Sequence, residues 1–151
     1  MITHFNHPNE ITSASRAAVQ ALLQAGIPVR NQTVLLKGIN DTPEVLGRLL
    51  KGLTAIGVLP YYVFQCRPVS GVKNQFQVPL KEGYEIVEGA KKMQNGIGKN
   101  FRYVLSHEEG KIEILGRVSE EEMLFKFHQA KKEKDVGRLF TSKIGDGQCW
   151  L

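Results

Sequence analysis

A chain of 151 residues, 42% hydrophobic and 23% charged, has the size and composition of one globular domain with a real core. No stretch approaches the ~18 apolar residues that a membrane span needs, so no membrane association is expected. The net charge of +5 is spread along the chain without an aromatic-interleaved basic stripe, which argues against nucleic acid as a partner.

The first residues, Met1 to His7, show no basic region followed by an apolar one, so no signal or transit peptide is read there and a cytoplasmic home is expected. Cys66 and Cys149 lie far apart and form no short-spaced ligand motif, so free thiols and no metal are expected.

Ile2 to Phe5 reads as a short strand, and Thr12 opens a helix whose apolar positions Ala18, Leu22 and Ala25 fall at helical spacing before Gly26 ends it. Val29 to Leu36 is the next strand. Thr42-Pro43 starts a second helix, with Thr42 as cap, which runs to Gly57. Pro60 to Phe64 is a third strand, Gly83 to Met93 a third helix and Phe101 to Leu105 a fourth strand, with another expected at Ile112 to Leu115. This is the rhythm of parallel β/α units, hence an α/β fold; the spacing suits a doubly wound sheet and a barrel equally. Beyond Gly116, Ser119 to Glu122 is a capped helix start or a charged turn. Met123 to His128 is a strand or a helix face, and Phe140 and Trp150 are packing residues.

Polar residues recur at strand ends: His4 and Asn6, Asn31, Gln65 and Arg67, Ser106 and His107. That edge is where ligands bind in parallel α/β folds. Gln32 lies early in its strand and must point into the sheet interior to join them. So few β/α units cannot close an eight-stranded barrel, so the chain is expected to be incomplete, with its tail covering a sheet edge or docking on a neighbouring subunit.

Three blocks, Thr3 to Thr12, Ala25 to Asp41 and Pro60 to Cys66, resemble in register the signatures of the lysine 2,3-aminomutase family of radical S-adenosylmethionine enzymes. The resemblance covers about residues 1 to 115. It implies that residues 1–115 are the C-terminal portion of a radical-SAM barrel, a partial parallel β/α barrel of about its last four strands, with 116–151 a small C-terminal extension. The implied activity is that of an isomerase. A [4Fe-4S] cluster cleaves S-adenosylmethionine, the resulting radical takes hydrogen from an amino acid held on pyridoxal phosphate (PLP), and the amino group migrates to the neighbouring carbon. The cluster-binding CxxxCxxC motif of the family lies N-terminal to these blocks and is not in this sequence. The isolated chain is therefore expected to be inactive, with the cluster borne by an N-terminal part or a separate chain; a homo-oligomer is also open. The cysteine of the family's structural zinc site is Thr42 here, and no zinc is expected.

Carried over residue by residue, the resemblance places His4 and Gln32, with Asn6 beside them, on the S-adenosylmethionine side. Their amide and imidazole groups suit adenosine or methionine edges. The competing reading, kept for His7, is that such residues merely fix the first loop. Lys111, following Gly110, falls at the place of the PLP lysine; the alternative is a salt bridge to Glu108 or Glu113. Arg67 and Ser106 stand where lysine-acting members carry aspartates. A cationic Arg67 would repel a substrate ammonium, so an acidic or otherwise anionic amino-acid-like substrate is expected, unless Arg67 pairs with a neighbouring carboxylate.

Two other classes compete. A metal-dependent hydrolase would draw on His4, His7 and His107 with Glu108 or Glu109. A non-catalytic module would bind a nucleotide or PLP, or assemble with a cluster-bearing chain.

Overall fold

The computed structural model of the chain describes residues 1–72 and 75–151. In chain order it holds β1 (Ile2–Thr3), α1 (Ser13–Gln24), β2 (Arg30–Leu35), α2 (Pro43–Ala55), β3 (Leu59–Gln65), α3 (Leu80–Lys92), β4 (Arg102–His107), β5 (Gly110–Arg117), β6 (Glu122–Ala130) and β7 (Leu139–Lys143).

Local chemistry accounts for the first two helices. Thr12 caps α1 by accepting the Ser15 amide, Ser15 accepts the Thr12 amide in return, and Gly26 turns the chain at φ +75°. Thr42 accepts the Val45 amide at the head of α2 and Pro43 fills its first turn. Leu46, Leu49, Leu50 and Leu53 then form one buried stripe. The third helix starts at Leu80, earlier than the expected Gly83. Pro79 offers no side-chain cap; the Leu80 amide instead donates to the Gln148 carbonyl at 2.8 Å, so a distant segment supplies the start signal.

The strands form one seven-stranded sheet in sequence order, β1 to β7. β1 to β4 pair in parallel and β4 to β7 antiparallel. Sequential order without a reversal is the winding of a barrel wall and lacks the switch point of a doubly wound sheet, which resolves the fold class as the expected partial parallel β/α barrel. All three helices contribute to a single apolar cluster with Leu35, Val63, Tyr103, Leu105, Ile112, Ile114, Phe125 and Phe127 of the sheet. The other face of the sheet carries no helix among the described residues.

Of the alternatives open for the tail, the structure takes the turn and the strand. Ser119 to Glu121 forms a turn, and Met123 to His128 lies within a strand. Leu139–Lys143, not anticipated, adds a further strand, with Leu139 exposed on its flank. The β4 side of the parallel sheet is thus continued by β5, and the extension adds β6 and β7 beyond it, so that the backbone groups pair in succession.

Candidate functional site on the helix-free face of the sheet

The alternation of strand side chains divides the sheet cleanly. Tyr62 is 2% exposed and Val104 fully buried, yet neither joins the helix-side cluster. Their partners in register define the second face: Gln32 opposite Tyr62, Tyr62 opposite Arg102, Phe64 opposite Val104, Val104 opposite Glu113 and Ser106 opposite Lys111. Gln32 thus lies on the helix-free face, the condition for it to join the strand-end residues, and is half-buried.

Lys111 crosses this face. Its Nζ sits 4.3 Å from the Tyr62 ring centroid and 5.6 Å from that of Phe64, a cation–π floor. The expected alternative, an ion pair with Glu108 or Glu113, is overturned among the described residues: Glu113 faces the Arg102 guanidinium at 3.6 Å. Gly110, just before it, is held at φ +143°, where a Cβ would strike the Gln129 carbonyl and come within 2.7 Å of the Ala130 Cα. Glycine is therefore required for β5 to leave the Glu108-Glu109 turn this close to β6.

Past the end of β1 a polar network fixes the first loop; Asn31, expected with the residues at the carboxyl strand ends, is instead the second residue of β2. Asn31, 1% exposed, accepts the Phe5 amide at 2.7 Å and donates to the Phe5 carbonyl at 3.0 Å. Asn6 Oδ1 accepts the Val34 amide at 2.8 Å, and buried Asn40 donates to the carbonyls of Asn6 and Val34, each at 2.8 Å. Asn31 and Asn40 are thereby committed to backbone, as buried polar groups must be. The oxygen of Asn6 is committed too, so the Asn6 side chain anchors the loop. His7 Nδ1 accepts the Asn9 amide at 3.2 Å, the local role kept for it. His4 is exposed; the β1–β2 register, Thr3 opposite Asn31, sets it one step on beside Gln32.

A second network lies under the end of β3. Gln65, 2% exposed, donates to the Val78 carbonyl at 2.6 Å and the Cys149 carbonyl at 2.9 Å, and accepts the Tyr103 hydroxyl. Burial pushes the Tyr103 phenol far up, so it stays a donor. Burial, and then neighbouring Cys149, raises the Cys66 thiol. The C-terminal segment is thus strapped across the strand ends, where Trp150 stacks on His107 at 6.5 Å and 24°. Arg67, His107, Glu108 and Trp150 line a cavity of about 300 Å³ there. Arg67 is exposed and makes no ion pair among the described residues, so the neutralised alternative does not hold.

Sequence reasoning placed His107 at this edge but missed Tyr62, His128 and the position of Trp150 there. Tyr62 and His128 share a hydrogen bond, Oη to Nε2 at 2.8 Å. No three His, Cys, Asp or Glu side chains come together to hold a metal among the described residues, so the ligand set of the hydrolase alternative is not assembled. No helix among them is long and apolar enough to cross a membrane.

No family model matches the chain. A protein of Aquifex aeolicus (strain VF5) named "Putative L-lysine 2,3-aminomutase" is 43% identical over 151 residues, all of this chain and 40% of its own length. The chain is thus similar in sequence to proteins named lysine 2,3-aminomutase. It corresponds to their C-terminal part. The L-lysine 2,3-aminomutase of Clostridium subterminale is 47% identical over 94 residues, 62% of this chain and 22% of that one. The glutamate 2,3-aminomutase of Clostridioides difficile (strain 630) is 48% identical over 86 residues, 57% and 20%. The chain spans about two fifths of the Aquifex relative's length and about one fifth of these two. The full-length match also carries the resemblance past residue 115, through the tail. The crystal structure of a radical SAM methyltransferase from Sphaerobacter thermophilus overlaps at a TM-score of 0.46 and 16% identity, over 68% of this chain and 33% of that one.

Proposed function

We propose that this chain forms the C-terminal wall of a radical S-adenosylmethionine isomerase that moves an amino group on an anionic, amino-acid-like substrate, with Lys111 as the lysine that holds PLP covalently. The observation that carries this is the setting of Lys111. Its amine lies on an aromatic floor, half-buried, free of ion pairs among the described residues and beside Ser106 in register. An amine without a carboxylate partner, partly shielded from water, fits the donor that a PLP aldehyde requires. When bound there, PLP supplies a carbonyl that captures amino groups.

The chain's own residues would bind and orient. His4 and Gln32, set side by side at the β1–β2 edge, with Asn6 anchoring their loop, line the S-adenosylmethionine side. Arg67, exposed at the mouth of a cavity walled by His107 and Trp150, would pair with a substrate carboxylate, and Ser106 would donate a hydroxyl next to Lys111. The relative named glutamate 2,3-aminomutase fits an acidic substrate. Two cysteines cannot supply three cluster ligands, so the [4Fe-4S] cluster would be held by residues outside these 151, in the cytoplasm, and the 151 residues alone would not turn over. As domains, 1–115 is the barrel wall and 116–151 the extension that continues its sheet.

The test is borohydride reduction of the chain incubated with PLP, comparing wild type with Lys111→Ala by absorbance and peptide mass. A reduced adduct on Lys111 that vanishes in the variant is the expected result. Wild-type protein that takes up no PLP, or takes it up equally in the variant, removes Lys111 from the site. The non-catalytic alternative predicts PLP-dependent thermal stabilisation in both proteins.

A further inference from the structure

Three register shifts interrupt the sheet, one leaving Leu115 extra on β5, and the other two flank a single contact. Between β2 and β3 the pairs Asn31–Pro60 and Gln32–Tyr62 leave Tyr61 extra on β3. Between β5 and β6 the pairs Lys111–Gln129 and Ile112–Phe127 leave His128 extra on β6. Bulges of this kind re-aim side chains and concentrate near functional sites. Here they bring the Tyr62 hydroxyl and His128 Nε2 to 2.8 Å, with ring centroids 5.9 Å apart at 61°.

The charge states of the pair follow from the surroundings. Burial, and then the Tyr61 phenol beside it, pushes Tyr62 up to about 12. Burial, and then the Arg102 guanidinium, holds the His128 imidazole below its ordinary value. At neutral pH the phenol therefore keeps its proton and the imidazole is uncharged, and the imidazole tautomer sets which of the two donates across the bond. The groups facing His128 are Tyr61 and Tyr62 from β3, Arg102 from β4, Lys111 and Glu113 from β5 and Lys126 on its own strand. The Tyr62 ring presents one edge to His128 and its face to the Lys111 amine.

We propose that His128 is a positioning residue for Lys111, acting through Tyr62: the hydrogen bond fixes the phenol ring whose face orients the lysine amine. A lysine stem has four freely rotating carbons, and an amine held in one direction reacts faster than one that samples many. The use of this device in PLP capture rests on the function proposed above; the geometry does not.

The test separates the two. Lysines of the full chain are reductively methylated with 13C-formaldehyde, the Lys111 dimethyl signal is assigned with Lys111→Arg, and its position and pH midpoint are followed by NMR. In the His128→Ala protein the Lys111 signal and midpoint move, and Lys111 labels about fivefold more slowly, the equivalent of one lost hydrogen bond. His128→Gln, whose amide accepts or donates as the imidazole does, restores both. Tyr62→Phe keeps the ring, drops the hydroxyl and reproduces the His128→Ala result, and the double variant is no worse than either single one. A Lys111 signal indifferent to His128→Ala, additive effects in the double variant, or no rescue by glutamine overturns the proposal. If His128→Ala does not fold, Tyr62→Phe against His128→Gln decides it in the same way. Formaldehyde needs no PLP site, so wild type that labels normally at Lys111 but takes up no PLP sinks the proposed function alone.

Discussion

Replacing Gln65 by leucine removes a side chain of similar size that serves three buried partners. Its amide hydrogens satisfy the carbonyls of Val78 at 2.6 Å and Cys149 at 2.9 Å, and its oxygen accepts the Tyr103 hydroxyl. Each buried polar group left without a partner costs about 1–3 kcal/mol. Tyr103 is 2% exposed and Val78 is 1% exposed, so neither can turn to water, whereas the Cys149 carbonyl is partly accessible. Two full penalties and a reduced third, offset by the apolar gain of leucine, come to about 3 kcal/mol. For a domain of this size that lowers Tm by about 6–12 °C. The assay is thermal and urea unfolding of the single variants Gln65→Leu and Tyr103→Phe and of the double variant. The second substitution should cost less in the Gln65→Leu background, because the hydroxyl it removes is already orphaned. A Gln65→Leu loss below about 1 kcal/mol, or strict additivity, would refute the three-partner reasoning.

Gly110→Ala should cost about 2–5 kcal/mol by urea unfolding, since it adds strain at φ +143° to a clash with the β6 backbone; a near-neutral result would show that the turn can move. Thr42→Ala, which removes the acceptor of the Val45 amide at 3.2 Å, should cost about 1 kcal/mol, and Thr42→Ser should recover most of it. His128 has a folded value below its unfolded 6.5, so the unfolded chain binds a proton first as pH falls. Stability should be complete above that value, decline as pH drops through 6.5 towards the folded value, and level off below it. His128→Gln should flatten that part of the stability profile, and an identical slope in the variant would assign it to other groups.

Where a start or stop is written in adjacent residues, the sequence shows it. Thr12 with Ser15, Thr42-Pro43, Gly26 and Gly57 delimit α1 and α2 closely. The head of α3 depends on the Gln148 carbonyl, which no local pattern reveals. Met123 to His128 alternates in a way that suits a strand or one helix face, and only pairing with β5 decides between them. Leu139–Lys143 is short and flanked by charge, so nothing local beyond the packing residue Phe140 marks it as a strand. At the site, the strand-end positions of His4, Arg67 and Ser106 were legible from spacing, whereas the face of Gln32 follows only from its pairing with Tyr62. The Lys111–Ser106 juxtaposition was not legible, because it follows from an antiparallel register set at Glu108-Glu109. Nor was the Tyr62–His128 bond, which spans a separation of 66 residues and depends on two bulges. The one available hint was a histidine in phase with Leu124 and Lys126, opposite the apolar Phe125 and Phe127.

The change from parallel to antiparallel pairing at β4 also sets an order of assembly. β4 to β7 are joined by short connections, Glu108-Glu109 the tightest, and antiparallel neighbours linked this way close with little loss of chain freedom. Each parallel neighbour must await a crossover through a helix, with a higher entropic barrier. The hairpin half is therefore the part able to form early, and its β4 rim is the template on which β3, β2 and β1 are laid down in turn. By that logic the residues least connected to the family's signature blocks are the ones that let those blocks find their places.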